Sequence, residues 1–209
     1  MASNSKSWGF GIYNDKPIYV VLFIARKKDN QDLPNFVERR LSFITTESIH
    51  SKTLNTKFHH FCEDGVSGEF CRLYYSVNAR NPQAIYKQLI HFLIDEPCFN
   101  LCAIPSKIAG IAAKKECALE KKWMFDFDSN DTAKLQEFCN DITDIDKDVE
   151  WSMYPTPHGY AVITNRGFDT RKLFEKWTEN VTLKKDDLLC VGWWTNLSEY
   201  GKINTHPLI

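Results

Sequence analysis

Segment 121–131 reads Lys-Lys-Trp-Met-Phe-Asp-Phe-Asp-Ser-Asn-Asp, and its alternation constrains this chain more than any other stretch. Trp123, Phe125 and Phe127 alternate with Met124, Asp126 and Asp128. Successive side chains of a strand point to opposite faces. As a strand, the segment therefore packs three aromatic rings on one side and projects two carboxylates from the other. Two carboxylates on one face repel each other unless a cation or a proton lies between them. Paired acidic oxygens suit Mg²⁺ or Mn²⁺, which in turn bind phosphates. Read more simply, the same pattern is a half-buried strand whose polar face meets solvent.

The elements around this strand follow from the same reasoning. Segment 17–25 is β-branched and aromatic on both parities, the pattern of a buried strand. Further strands are expected at 39–45, 70–78, 149–153, 160–164 and 188–193. In 70–78, Arg72, Tyr74, Ser76 and Asn78 share one face. Amphipathic spacing predicts helices over 82–94, 131–142 and 170–177, with Asn81, one of 129–131, and Asp169 as caps. Segment 54–64 reads as helical, and 100–119 as largely helical. The tail from Gly201 reads as extended and the first six residues as a frayed end. Alternating strands and helices, with some strands adjacent and antiparallel, predict an α+β domain: a mixed or antiparallel sheet with helices on one face. The split β-α-β arrangement fills it naturally. No linker appears, so residues 1–209 are read as one domain, of which 1–70 could form an N-terminal α/β part.

Charge and cysteine content exclude several classes. The net charge is −1, so no global field attracts nucleic acid, and any such site is a local basic patch. The 7 cysteines are an odd number without a Cys-x-x-Cys. His59, His60 and Cys62 could be drawn as a zinc site, but reduced, buried thiols explain the pattern better. No apolar segment approaches a membrane span, and 1–7 is polar, so the expectation is a cytoplasmic protein without a membrane partner.

Three pieces form a constellation. The acidic strand carries Asp126 and Asp128. A Pro-Thr-Pro-His-Gly turn, with Thr156, His158 and Gly159, leads into the strand at Tyr160. Asp186 and Asp187 precede the last apolar strand. A metal-dependent phosphoryl-transfer site needs two or three carboxylates and a group that grips phosphate oxygens. Lys27, Lys28, Arg72 and Arg80 are candidates for that grip. The glycine of the turn lets backbone approach a ligand closely.

Four runs carry a resemblance: Arg26-Lys27-Lys28-Asp29-Asn30, the segment 72–80, Phe125-Asp126-Phe127-Asp128, and the segment 156–164. They resemble a group of phage-type proteins that look like compact relatives of the archaeo-eukaryotic primase catalytic domain. The likeness runs over roughly 19–191. It implies an RRM-like catalytic core with an added α/β unit. It implies nucleotidyl transfer on nucleotides, DNA or RNA, with Asp126 and Asp128 holding Mg²⁺ or Mn²⁺. It also implies a nucleotide-contacting Ser/Thr-x-His strand and a third metal acid, for which Asp186 or Asp187 is the match. One position departs: Ala161 stands where those relatives carry histidine, and His158 lies outside that strand register. A module that kept the fold and binds nucleic acid or a host protein fits this departure, with Tyr74, Tyr75, Trp193 and Trp194 as stacking surfaces. A second resemblance, through Asp126, Asp128, Thr164 and Lys185, is to haloacid-dehalogenase-type phosphatases, which implies a doubly wound sheet and an aspartate nucleophile.

Overall fold

In the computed structural model, which describes residues 16–96 and 98–196, the buried run after Pro17 is strand β1 (Tyr19–Ala25). It is one of two inner strands of a sheet with β2 (Arg39–Thr45), β3 (Phe70–Ser76) and β8 (Leu188–Thr195), in the order β2-β1-β3-β8. Every pairing in this sheet is antiparallel. Val21, Phe23 and Ala25 of β1, with Cys71, Leu73 and Tyr75 of β3, pack on Leu54, Phe58 and Phe61 of helix α1 (Lys52–Glu63). Among the described residues, the opposite face is covered at one end only. There Val20 meets Ile85 of α2 (Pro82–Asp95) and Ala109 and Ile111 of α3 (Ile104–Ala112). The other end of that face carries Arg72 and Tyr74.

The second sheet is built from the acidic strand β4 (Trp123–Phe127) with β5 (Trp151–Thr156), β6 (Gly159–Thr164) and β7 (Val181–Lys185). Its order is β5-β6-β4-β7, again all antiparallel. Helices α4 (Thr132–Ile145) and α5 (Arg171–Trp177) connect its strands. The chain order strand-helix-strand-strand-helix-strand in this spatial order is the split β-α-β arrangement. Phe125 and Phe127 pack on Leu135, Phe138 and Ile142 of α4 and Leu173 and Trp177 of α5. The rings of Phe127 and Trp177 stand 6.0 Å apart and those of Phe138 and Trp177 5.5 Å, within the range of favourable aromatic pairs.

Two expected caps form. Asn81 Oδ1 accepts from the backbone N–H of Gln83 and Ala84, and Asp131 Oδ1 from those of Ala133 and Lys134. Asp169 accepts the N–H of Arg171 and pairs with its guanidinium, while Thr170 holds the cap position of α5.

The structure corrects three expectations. The strands form two sheets instead of one mixed or antiparallel sheet, both of them antiparallel, because the C-terminal strand β8 returns to β3 and completes the first sheet. That sheet therefore draws on both ends of the chain. Helix α3 ends at Ala112, and 113–119 turns back so that Cys117 O accepts from Asn81 N and Leu119 N donates to Ala79 O. Strand β7 occupies residues read only as the approach to the last strand. The expectations for the first six residues and for the tail from Gly201 lie outside the described residues. No described helix is long and apolar enough to cross a membrane.

Candidate functional site

The two sheets meet through a small apolar cluster, Val77 and Leu189 from the first and Met124 and Ala161 from the second. Met124 shares a face with Asp126, so the acidic face of β4 looks toward the first sheet. Asp126 is half-buried and Asp128 exposed. No described side chain donates a hydrogen bond or forms an ion pair to either. Burial raises the pKa of Asp126, and the charge of Asp128 adds to the effect. Asp187 works in the same direction, while Lys184 and Arg72 oppose it. Arg72, from the first sheet, is thus one of the charges that act on Asp126.

The facing wall is an arginine clamp. Arg72, 5% exposed, donates Nε and Nη2 to the two oxygens of Asp29 at 2.8 and 2.7 Å. Arg26 grips the same carboxylate with Nε and Nη2 at 2.8 and 3.0 Å. Burial opposes ionisation of Asp29, but the hydrogen bonds from Arg26 and Arg72 prevail and hold its pKa below the ordinary value. Two guanidiniums against one carboxylate leave an excess positive charge facing the acidic strand. Asn30 fixes the clamp: its amide donates to the carbonyls of Arg26 and Phe70 and accepts from Phe70 N, tying the end of β1 to the start of β3. Tyr74 and Cys190 border the clamp; burial pushes the Cys190 thiol up to about 11.

His158 spans the gap. Arg72 Nη2 lies 3.0 Å from His158 Nε2. A guanidinium only donates, so Nε2 is the acceptor in this contact. The turn bearing His158 is pressed onto the acidic strand through Gly159. A Cβ on Gly159 would collide with Phe127 O and lie 2.8 Å from Ser129 N, the residues on either side of Asp128. Thr156, the cross-strand partner of Gly159, sits at the same turn.

The remaining predicted residues divide. Lys27 and Lys28 are exposed on the short helical turn that ends in Asp29. Arg80 and Asp186 are not at the site. Arg80, 1% exposed, donates to Asp186 Oδ2 at 2.7 Å, and Asn78 Nδ2 donates to Asp186 Oδ1 at 3.0 Å. Asn78 also holds Lys122, just before β4, through both its N–H and its carbonyl. This latch joins the sheets away from the carboxylates. Asp187 is among the charges that raise the pKa of Asp126, while Asp186 is bonded to Arg80 and Asn78. Among the described residues no group of three or more His, Cys, Asp or Glu side chains is placed to hold a metal. His59 and His60 instead face Glu63, and Cys62 is buried under the first sheet.

Asp29, Arg26 and Lys184 were missed as site residues in the sequence, while Asp187 was one of its two candidates for the third acid. Lys184 reaches the site because β7 carries an irregularity opposite Met124 and Phe125, with Lys185 in the left-handed region at φ 49°. Ala161 is buried beside Asp126 as its cross-strand partner. Both sheets being antiparallel, neither is the doubly wound parallel sheet that the phosphatase resemblance implies. No family model, curated protein or solved structure matches the chain.

Proposed function

We propose that this protein is a divalent-metal-dependent nucleotidyl- or phosphoryl-transfer protein of primase-like type, acting on nucleotides or nucleic acid. The observation that carries the reading is one juxtaposition: two carboxylates without a cationic partner, Asp126 and Asp128, opposite a clamp of Arg26 and Arg72 that holds excess positive charge. The donor set fits a hard cation. Mg²⁺ needs only one or two carboxylates and completes its shell with water and substrate phosphates. Bound there, such an ion supplies Lewis-acid polarisation of a phosphoryl oxygen. Asp126 and Asp128 hold the ion. Arg72 and Arg26, already oriented by Asp29, present N–H groups to phosphate oxygens. His158 steers Arg72, and Lys27 and Lys28 extend the basic rim. The split β-α-β order of the second sheet supports an RRM-like core.

Ala161 favours a second reading, a module that keeps the fold and binds nucleic acid without catalysis, since a methyl group beside Asp126 cannot donate to phosphate. Calorimetric titration of Mn²⁺ and Mg²⁺, with and without a nucleoside triphosphate, separates the two. The enzyme reading expects metal-dependent nucleotide binding that disappears in Asp126→Ala/Asp128→Ala. Metal binding that is absent, or unchanged by the double substitution, removes it.

A further inference from the structure

A cavity opens where the sheets meet, and none of Asp126, Asp128, Arg72 and His158 lines it. Its volume is about 430 Å³, within the range of sites that enclose small organic ligands. Tyr19, Tyr75 and Tyr154 form its walls together with Ile163 and Leu189. The Tyr19 and Tyr75 rings stand 4.7 Å apart, and the Tyr75 hydroxyl is fixed by donating to Glu47 O at 2.9 Å. Two basic side chains, Lys16 and His50, line the cavity, and no carboxylate lines it among the described residues.

This lining is selective in chemical terms. Aromatic walls stack planar rings. A cation with no carboxylate beside it among the described lining residues attracts an anion. We propose that the cavity binds a planar aromatic ring joined to one anionic group, with the ring against the tyrosines and the anion at Lys16 and His50. Tyr154, Ala161 and Asp126 are cross-strand neighbours in one row across β5, β6 and β4. Ala161 therefore stands between this cavity and the carboxylate pair, and the proposal does not depend on metal at Asp126.

The test is calorimetric titration of the full chain with two probes, anilinonaphthalene sulfonate and adenosine monophosphate. Saturable one-to-one binding of at least one probe is expected. Lys16→Glu, an exposed position whose exchange leaves the core intact, and Tyr154→Ala should each raise Kd about tenfold, corresponding to roughly 1.4 kcal/mol. Asp126→Asn should leave it unchanged. Binding of the nucleotide alone identifies a nucleotide site. Binding of the sulfonate, with or without the nucleotide, identifies a site for aromatic anions in general. No saturable binding of either probe, or a Kd unchanged in either cavity variant, overturns the proposal.

Discussion

The two sheets have the same number of strands and the same antiparallel pairing, but they handle charge in opposite ways. In the first sheet each buried or nearly buried charge has a partner: Arg72 has Asp29, Arg39 has Glu69, and Arg80 has Asp186. In the second, the core face is apolar and aromatic and carries no charge, its buried Thr164 hydroxyl donating to Arg166 O, while the other face presents Asp126 and Asp128 with no described cation bonded to them. Helices cover the first sheet on one face and at one end of the other. Among the described residues, they cover the second on one face only. A sheet with an open face can keep charges unpaired because water solvates them, whereas an unpaired charge inside the first sheet would be costly. Paired charges hold a shape, and unpaired ones are available to a ligand.

The largest expected effect breaks a pair in the first sheet. Asp29→Ala leaves the buried Arg72 without its carboxylate and should cost about 3–5 kcal/mol in urea unfolding at neutral pH. The pH dependence carries a sign. Asp29 has a lowered pKa in the fold, so its contribution is present above the ordinary carboxylate value of 3.8 and is lost as pH falls through the lower folded-state value. The penalty of the substitution should shrink on acidification. A loss below about 1 kcal/mol at neutral pH would break the contrast between the sheets.

An intermediate effect tests how the turn is seated on the acidic strand. Gly159→Ala forces a methyl group into Phe127 O and the backbone of Ser129. Overpacking against backbone costs roughly 1–3 kcal/mol. Because the strain falls on either side of Asp128, thermal unfolding should show the loss and any Mn²⁺ affinity should fall with it. An unchanged Tm would mean that the turn stands clear of the strand.

The features legible in the sequence were those written in local periodicity. Period two separated Trp123, Phe125 and Phe127 from Met124, Asp126 and Asp128, and the structure places the aromatics on α4 and α5 and the acids opposite. The caps Asn81 and Asp131 were legible because a capping side chain reaches only two or three residues ahead. What escaped was set at long range. Asp29 and Arg72 are distant in sequence, and nothing near either announces the other. Segment 113–119 has the composition of a helix, but its backbone is drawn into hydrogen bonds with Ala79 and Asn81. Strand β7 is short and mostly polar, and it exists because β4 offers it a ladder. Asp186 and Asp187 are adjacent alternatives for the third acid, which neighbours in sequence cannot separate without the buried Arg80 that claims the first of them.

The smallest expected effect is the most specific to the acidic face. Asp126 has a pKa raised by burial and by Asp128, so its ionisation works against the fold as pH rises through the folded-state value. Asp126→Asn removes that charge and should stabilise the protein at neutral pH by about 0.5 kcal/mol. Well below the ordinary value of 3.8 both states of the wild type are protonated, and the gain should vanish. Divalent metal should reverse the order. A ligand that binds only the folded state at a hundredfold excess over Kd adds about 2.7 kcal/mol, and this increment should belong to the wild type and be largely lost in the variant. Urea unfolding at pH 7 and pH 3, with and without Mn²⁺, measures all four quantities. A variant less stable than wild type at pH 7 without metal would mean that Asp126 is paired in the fold after all. The two sheets would then treat their charges alike.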